Sequence, residues 1–420
     1  MTQSTTATAL NADGHTSGAP SPGTDAGIVG TLRALAARAG SVLGENTRLV
    51  PILAGWVILA VIFQADTGYF LTTRNLSDLI VQSTVTGLIA LGLVFVLLIG
   101  EIDLSVAANS GFSATVMGSI LVVHQMNLAV AMIAAIGVGA IIGAIQGAWC
   151  NLFGIPSFVV TLGVSLVLNA GALALVPNQG QISLLGTSVL GLTDNDLTGA
   201  TLYAILVVSI AAYLAFRLWL LASSRREKLE TSLVKIVVLP VATFTVLGIL
   251  LLIIFQRSGG LPIAVGIFFA LVALASLMLR YSRIGIAMYA VGGNKAAARR
   301  SGIKVDRVRV LAFALAGALA SFGGIVSAAR ILGVTTTLGG GSLLLDSIAA
   351  AVIGGMSLFG GHGRAAAAIL GAIIVETVAN GLNLMNAGPA VVYAATGGLL
   401  VLAVSIDGLV GRRNQKGARR

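Results

Sequence analysis

The chain is divided into apolar runs, each close to the length of a membrane-crossing helix, and this limits what it can fold into. A helix rising 1.5 Å per residue needs about 20 apolar residues to cross a hydrocarbon layer ~30 Å thick. Such runs lie at 49–64, 79–99, 104–123, 128–150, 155–176, 201–222, 233–256, 262–280, 309–329, 343–358, 365–386 and 390–408. Hydrophobic residues make up 57% of the 420 and charged residues 10%. A soluble domain carries about 25% charged residues, so the apolar surface here exceeds what one soluble core can bury. The predicted fold class is an all-α polytopic membrane protein with about 10–12 transmembrane helices. The runs 49–64 and 343–358 are short, and each reads as a tilted helix, a re-entrant segment or a broken helix. Glycine is abundant, with 53 residues, and small residues let membrane helices approach closely.

The placement of the basic residues sets the orientation. Cytoplasmic loops of membrane proteins accumulate Lys and Arg. The segment 280–309 holds Arg280, Arg283, Lys295, Arg299, Arg300, Lys304, Arg307 and Arg309 against the single acid Asp306. Arg225, Arg226 and Lys228 lie between two runs, Arg33, Arg38 and Arg48 precede the first, and Arg412, Arg413, Lys416, Arg419 and Arg420 follow the last. Twelve crossings with both termini cytoplasmic put all these groups on one side and leave Arg74, Arg257 and Arg330 on the other. Ten crossings and two re-entrant segments keep the same parity. Topology therefore accounts for the net charge of +10, and no nucleic-acid partner is expected. Residues 1–48, rich in Ser, Thr, Gly and Ala, read as a disordered cytoplasmic tail. Residues 49–408 read as the membrane domain, with a cytoplasmic segment at 281–308, and 409–420 as a basic tail. The outer loops 65–78, 177–200 and 330–342, the longest of them containing Asp194-Asn195-Asp196, are too short to hold a binding domain.

Composition narrows the chemistry. The single Cys150 excludes an internal disulfide and a cysteine metal site. His15, His124 and His362 are widely separated, so no metal site and no cofactor is expected. No phosphate-binding Gly-x-x-x-x-Gly-Lys-Ser/Thr loop occurs. The run Gly339-Gly340-Gly341-Ser342 lacks the lysine and reads as a turn at a membrane edge.

Within the basic segment, Gly292-Gly293 ends one helix, Asn294 is placed to cap another, and Lys295 to Arg300 is an Ala-rich helix former. Ser301-Gly302 then closes it, glycine suiting a left-handed cap. Two readings stand: an ordinary positive-inside loop, or a docking element.

The residues Gly292-Gly293-Asn294, Ala297-Ala298-Arg299 and Ser301-Gly302-Ile303 resemble the coupling segment of ATP-binding-cassette importer permeases of the ribose and xylose type. Glu101-Ile102-Asp103-Leu104-Ser105-Val106, Ile155 through Gly163, and Asp346 through Gly355 with Gly360-Gly361-His362-Gly363-Arg364 resemble three further signatures of that family, in the same order, from about residue 75 to 410. A basic loop and an additional span within 213–262 resemble the xylose-type subgroup. The resemblance implies two permease copies forming a pathway as a homodimer, and a cytoplasmic ATPase pair docking on Gly292, Gly293, Asn294, Ala297, Arg300, Ser301 and Gly302. It also implies an extracytoplasmic sugar-binding protein that delivers the solute. The implied location is a bacterial inner membrane. The chain itself is expected to hydrolyse nothing.

Polar residues inside the apolar runs are pathway candidates, because ionisable groups in a membrane are costly to keep. Glu376, Asn380 and Asn383 share one helical face. Gln82, Ser83, Thr84 and Thr86 fall in the second run, and Asn109 and Ser110 in the third. Each also has a second reading as a bond between helices. Glu101 and Asp103 flank a break after Gly100, either as a midplane charge pair or as a tight turn in which Asp103 caps the next helix. Asp346 has the same two readings. Three other functions are considered: an ion-coupled secondary transporter, for which Glu376 is the one clear intramembrane acid; a membrane-embedded enzyme, for which no convergent set of groups exists; and a permease of the same type carrying a nucleoside.

Overall fold

The computed structural model describes residues 49–417, apart from 178–179, 195–196 and 227–231. The tail 1–48, Asn195, Asp196, Lys228, Arg419 and Arg420 thus lie outside the described residues. All twelve apolar runs contain helix. The chain begins with α1 (Leu49–Thr67) and α2 (Thr73–Leu98). A break over 99–105 leads to α3 (Val106–Gly118), which a π-helical turn extends to Val123. Then come α4 (Leu128–Phe153), α5 (Ser157–Leu175), the three-residue strand β1 (Gln181–Ser183), α6 (Gly199–Arg226), α7 (Leu239–Ser258) and α8 (Ile263–Tyr281). Two short helices, α9 (Arg283–Gly293) and α10 (Lys295–Arg300), precede α11 (Val305–Arg330). The strand β2 (Gly333–Thr335), α12 (Leu343–Ile353), α13 (Ala367–Leu384) and α14 (Pro389–Gly417) complete the chain. Among the described residues, nine helices are long and apolar enough to cross a membrane.

Helix α2 starts six residues before its apolar run. Thr72 caps it by accepting from the Asn75 amide, so Arg74, Asn75 and Asp78 sit in its first two turns rather than in a loop. At a membrane surface such residues remain hydrated, so hydropathy alone misses them. Helix α2 is the centre of the fold: 89% of its apolar stretch is buried within the protein, against 6% for α6. That contrast places α6 and α7 at the periphery, facing lipid.

The tightest packing joins α4 to α11. Gly139, Gly143 and Gly147 lie one turn apart on α4 and meet the backbone of Gly317, Phe313 and Val310 on α11. A methyl group at any of the three would overlap that backbone. Van der Waals contact, rather than water exclusion, drives such association in lipid.

The two ends of the bundle differ. One end carries β1 paired antiparallel with β2, Ile182 opposite Val334, and is termed the hairpin face. The other carries α9, α10 and their basic residues and is termed the basic face. Strands this short, far apart in sequence, leave no periodic signal and are not readable from the chain alone.

Helix α12 is not a full span. Its eleven residues rise about 16 Å, half the hydrocarbon thickness. Before it, the chain leaves β2 and runs down along α3: Val334 touches Gly118, while Leu338 and Gly339 touch Gly111 and Ala107. Seven to eleven residues of α3 correspond to about 10–16 Å of descent. The run 339–342 is therefore inside the membrane layer, not at its edge as its composition suggests. Glycines on both sides, Gly111 and Gly339, permit backbone to lie on backbone there. After α12, residues 354–366 reach the basic face, where Gly361 donates to the Leu98 carbonyl at 2.8 Å. Segment 336–366 thus runs from the hairpin face to the basic face as a broken helix.

Candidate functional site

Two interruptions of helical backbone hold the polar chemistry of this protein. The first is on the basic face. Gly100 follows α2 with φ of 71°, and Glu101 turns to meet two cations brought from different elements. Lys295 Nζ donates to Glu101 Oε1 at 2.7 Å and Arg309 Nη2 donates to the same oxygen at 2.6 Å. Arg309 also donates to Asn151 Oδ1 at 2.8 Å, and Asn151 donates to the Asp306 carbonyl. Burial by itself raises the affinity of Glu101 for a proton, but the hydrogen bonds from Lys295 and Ser157 and the charges of Arg309 and Lys295 outweigh it, so its pKa lies below the usual 4.5. The carboxylate is ionised and clasps α2, α4, α10 and α11 together.

Asp103 closes the same turn. Its Oδ1 accepts from the amide and hydroxyl of Ser105 at the start of α3, and Ser105 bonds Gln146 of α4. This is a local turn closed by an aspartate two residues back, just before α3, whose N-cap Ser105 makes no side-chain capping bond. Ser157 and Thr161 of α5 accept from the amides of Ile102 and Leu104, so two amides of the broken backbone are held by side chains from a neighbouring helix.

Glycines complete this joint. Gly360 and Gly361 both have positive φ, a conformation that costs other residues roughly 1–2 kcal/mol. A side chain at Gly292 would overlap the Leu98 carbonyl, and one at Gly360 would come within 2.8 Å of Gly100. Tyr289 donates to the Gly363 carbonyl at 2.7 Å.

Beyond the joint stands α10. The Asn294 side chain accepts from the Ala297 amide and Gly302 adopts φ of 84°, so both helix ends form as the residue types dictate. Only Ala298 is turned inward. Gly293, Asn294, Ala297, Arg300, Ser301 and Gly302 are exposed and Gly292 is half-buried. The result is a small basic knob, mostly Ala and Gly at its tip, anchored through Lys295 to Glu101.

The second interruption is the one before α12. Here the polar groups are not all satisfied. Asp346 Oδ1 and Ser347 Oγ are buried with no hydrogen-bond partner among the described residues.

The remaining candidates divide by position. Thr86 of α2 donates to Glu376 of α13, and Asn75 donates to Asn380 at 3.0 Å, so two rungs join these helices. Asn75 was hidden in what reads as a loop. Trp56 of α1 donates to Thr377 of α13. Gln82 is half-buried on α2, and Asn383 is exposed near the end of α13. Asn109 lies apart from these: it is buried, donates to the Gly139 carbonyl and accepts from Ser113. That is a bond between α3 and α4.

Residues 75–404 match the family described as "Branched-chain amino acid transport system / permease component". The chain belongs to this permease family. It is 32% identical over 365 residues to the xylose transport system permease protein XylH of Haemophilus influenzae, an alignment covering 85% of this chain and 95% of the relative. It is 30% identical over 366 residues to the ribose import permease protein RbsC of Escherichia coli strain K12, covering 87% and 94%. It is 30% identical over 357 residues to the D-allose transport system permease protein AlsC of the same strain, covering 85% and 90%. No solved structure matches. The resemblance to the ribose and xylose permeases read from the motifs agrees with these relatives, and the permease is an all-helical membrane protein of that group.

Proposed function

We propose that this permease is the membrane subunit of a bacterial inner-membrane importer for a monosaccharide, with xylose as the first candidate. Full-length similarity to permeases for xylose, ribose and allose carries this reading. The basic face is cytoplasmic by the positive-inside rule, which puts the start of α1 and the end of α14 on that side. A separate ATP-binding-cassette ATPase docks on α10, at Gly292, Gly293, Asn294, Ala297, Arg300, Ser301 and Gly302. A sugar-binding protein delivers solute to the hairpin face. Two copies of the chain surround the pathway, in keeping with the prevalence of two-fold assemblies. Closure of the ATPase pair moves α10, and the Glu101 joint passes that motion to α2, α4 and α11 as rigid bodies.

The ladder of Thr86 with Glu376 and Asn75 with Asn380, extended by Gln82 and Asn383, provides polar groups along α2 and α13 for solute hydroxyls. Asn109, likewise bonded between helices, belongs to the same proposed set on α3. The permease acts by transport, with hydrolysis in the partner. Reconstitution in proteoliposomes with the ATPase and binding protein tests the whole reading. ATP-dependent uptake of D-xylose, D-ribose or D-allose is the expected result. Uptake of none of these, or uptake by the chain alone driven by an ion gradient, would refute it.

A further inference from the structure

We infer that the break preceding α12 is a solute-binding station in the middle of the membrane, with Asp346 and Ser347 as its contacts for sugar hydroxyls. The inference rests on the importer reading above and assigns the pathway a specific site.

Three independent observations meet at this break. Gly340 and Gly341 are exposed at a depth fixed by the contact of Gly339 with Ala107 and Gly111. Non-helical backbone at membrane depth is tolerated only where it is covered by protein or lines a water-filled cavity. Among the described residues, only the Thr337 carbonyl approaches Gly340 and only the Tyr393 hydroxyl approaches Gly341. Next, α12 begins at this level, so its first amides and their positive partial charge point at the break. Discontinuous helices of this kind hold substrates near the midplane in other transporters.

The third observation concerns the side chains. Ser342 and Thr396 reach the Asp346 carboxylate, yet its Oδ1 is left without a partner, as is the Ser347 hydroxyl. Both residues are at least nine-tenths buried. An orphaned buried polar group is costly, more so if charged, and is retained where something else bonds it. Glu376 is near enough to feel the charge of Asp346. Two nearby carboxylates call for donors or a cation. Among the described residues no group of three His, Cys, Asp or Glu side chains gathers to hold a metal ion. A neutral polyhydroxylated ring fits the set better: its hydroxyls donate to Asp346 Oδ1 and Glu376, and accept from Ser347.

The test uses the full transporter with its ATPase and binding protein in proteoliposomes, with D-xylose, D-ribose and D-allose as probes. Asp346→Asn removes an unpaired buried charge, so the assembly should be at least as heat-stable as the wild type. Its uptake should nevertheless fall at least tenfold, and Ser347→Ala should lower uptake three- to tenfold. In Cys150→Ser with Thr337→Cys, a membrane-impermeant maleimide should label the break, and the transported sugar should slow that labelling. Wild-type uptake in Asp346→Asn and Ser347→Ala overturns the station, as does a Thr337→Cys that is inert to the maleimide. Loss of uptake restored by raised sodium, in the wild type depleted of sodium, would assign the site to a cation and also overturn it. Wild-type transport of none of the three sugars is a different failure, that of the importer reading.

Discussion

The two interruptions of helix in this permease are built on opposite plans. At 99–105 every buried side-chain polar atom has a partner: Glu101 meets Lys295 and Arg309 and Asp103 meets Ser105, while the freed amides of Ile102 and Leu104 meet Ser157 and Thr161. At 336–347 Gly340 and Gly341 are exposed and two buried side-chain atoms have no partner. On the proposed reading the first break, beside the docking knob, transmits force, and its full bonding suits that task. The second, beside the start of α3, takes the solute, and its unpartnered groups suit that one. A break in a membrane helix is thus not one kind of feature, and its unsatisfied groups distinguish a joint from a site.

The largest disruption should come from filling the joint. Gly360→Val imposes both backbone strain and overlap with Gly100, for a combined loss of about 3–5 kcal/mol. Little monodisperse protein should be recovered by size-exclusion chromatography in detergent. Gly341→Ala, in the open break, should leave recovery near wild type despite its positive φ, with a loss of only about 1–2 kcal/mol. Equal recovery of the two would erase the contrast.

Next in size is Glu101→Gln. It leaves Arg309 facing a neutral group and should lower stability by about 3 kcal/mol, the low end for a broken buried pair, because Lys295 can turn to solvent. The pH dependence carries the sign. A carboxylate with a depressed pKa contributes fully above its ordinary value near 4.5 and loses that contribution as pH falls through the lower folded value. The difference in melting temperature between wild type and Glu101→Gln should therefore be constant from pH 8 to about 5 and shrink in more acidic buffer. A difference that grows on acidification would contradict the clasp.

The smallest effect belongs to Arg299→Gln. Its ion pair with Asp306 is 3.3 Å long and both side chains are about two-thirds exposed. Such pairs contribute at most about 1 kcal/mol, often nothing measurable. Melting should be unchanged; a clear drop would mean that the knob is stabilised more by its own pairing than by Glu101.

Much of this fold is legible in the sequence because lipid enforces simple rules. Apolar length marks the helices, basic residues mark one face, and the Asn294 cap and Gly302 stop appear where residue type demands them. The joint was half legible: Glu101 and Asp103 stood out as acids at a break, but their partners come from residues 157 to 309, and no local pattern reports such distances. The run 339–342 reads as an edge turn because glycine composition signals freedom and not depth, whereas Gly339 lies against Ala107 and Gly111 of α3. Only the contact of Gly339 with α3 reveals that the chain has descended. The Thr86–Glu376 bond was prefigured in both its members, whereas Asn75 was obscured by neighbours that read as loop.

The most direct test compares Glu101→Gln with Asp346→Asn in the reconstituted transporter, measuring ATP hydrolysis and sugar uptake together. The contrast between joint and station predicts a split. Glu101→Gln should lose the stimulation of hydrolysis by loaded binding protein, and uptake with it. Asp346→Asn should keep that stimulation while uptake falls. Identical behaviour of the two variants in both readouts would show that the breaks do not divide the work in this way.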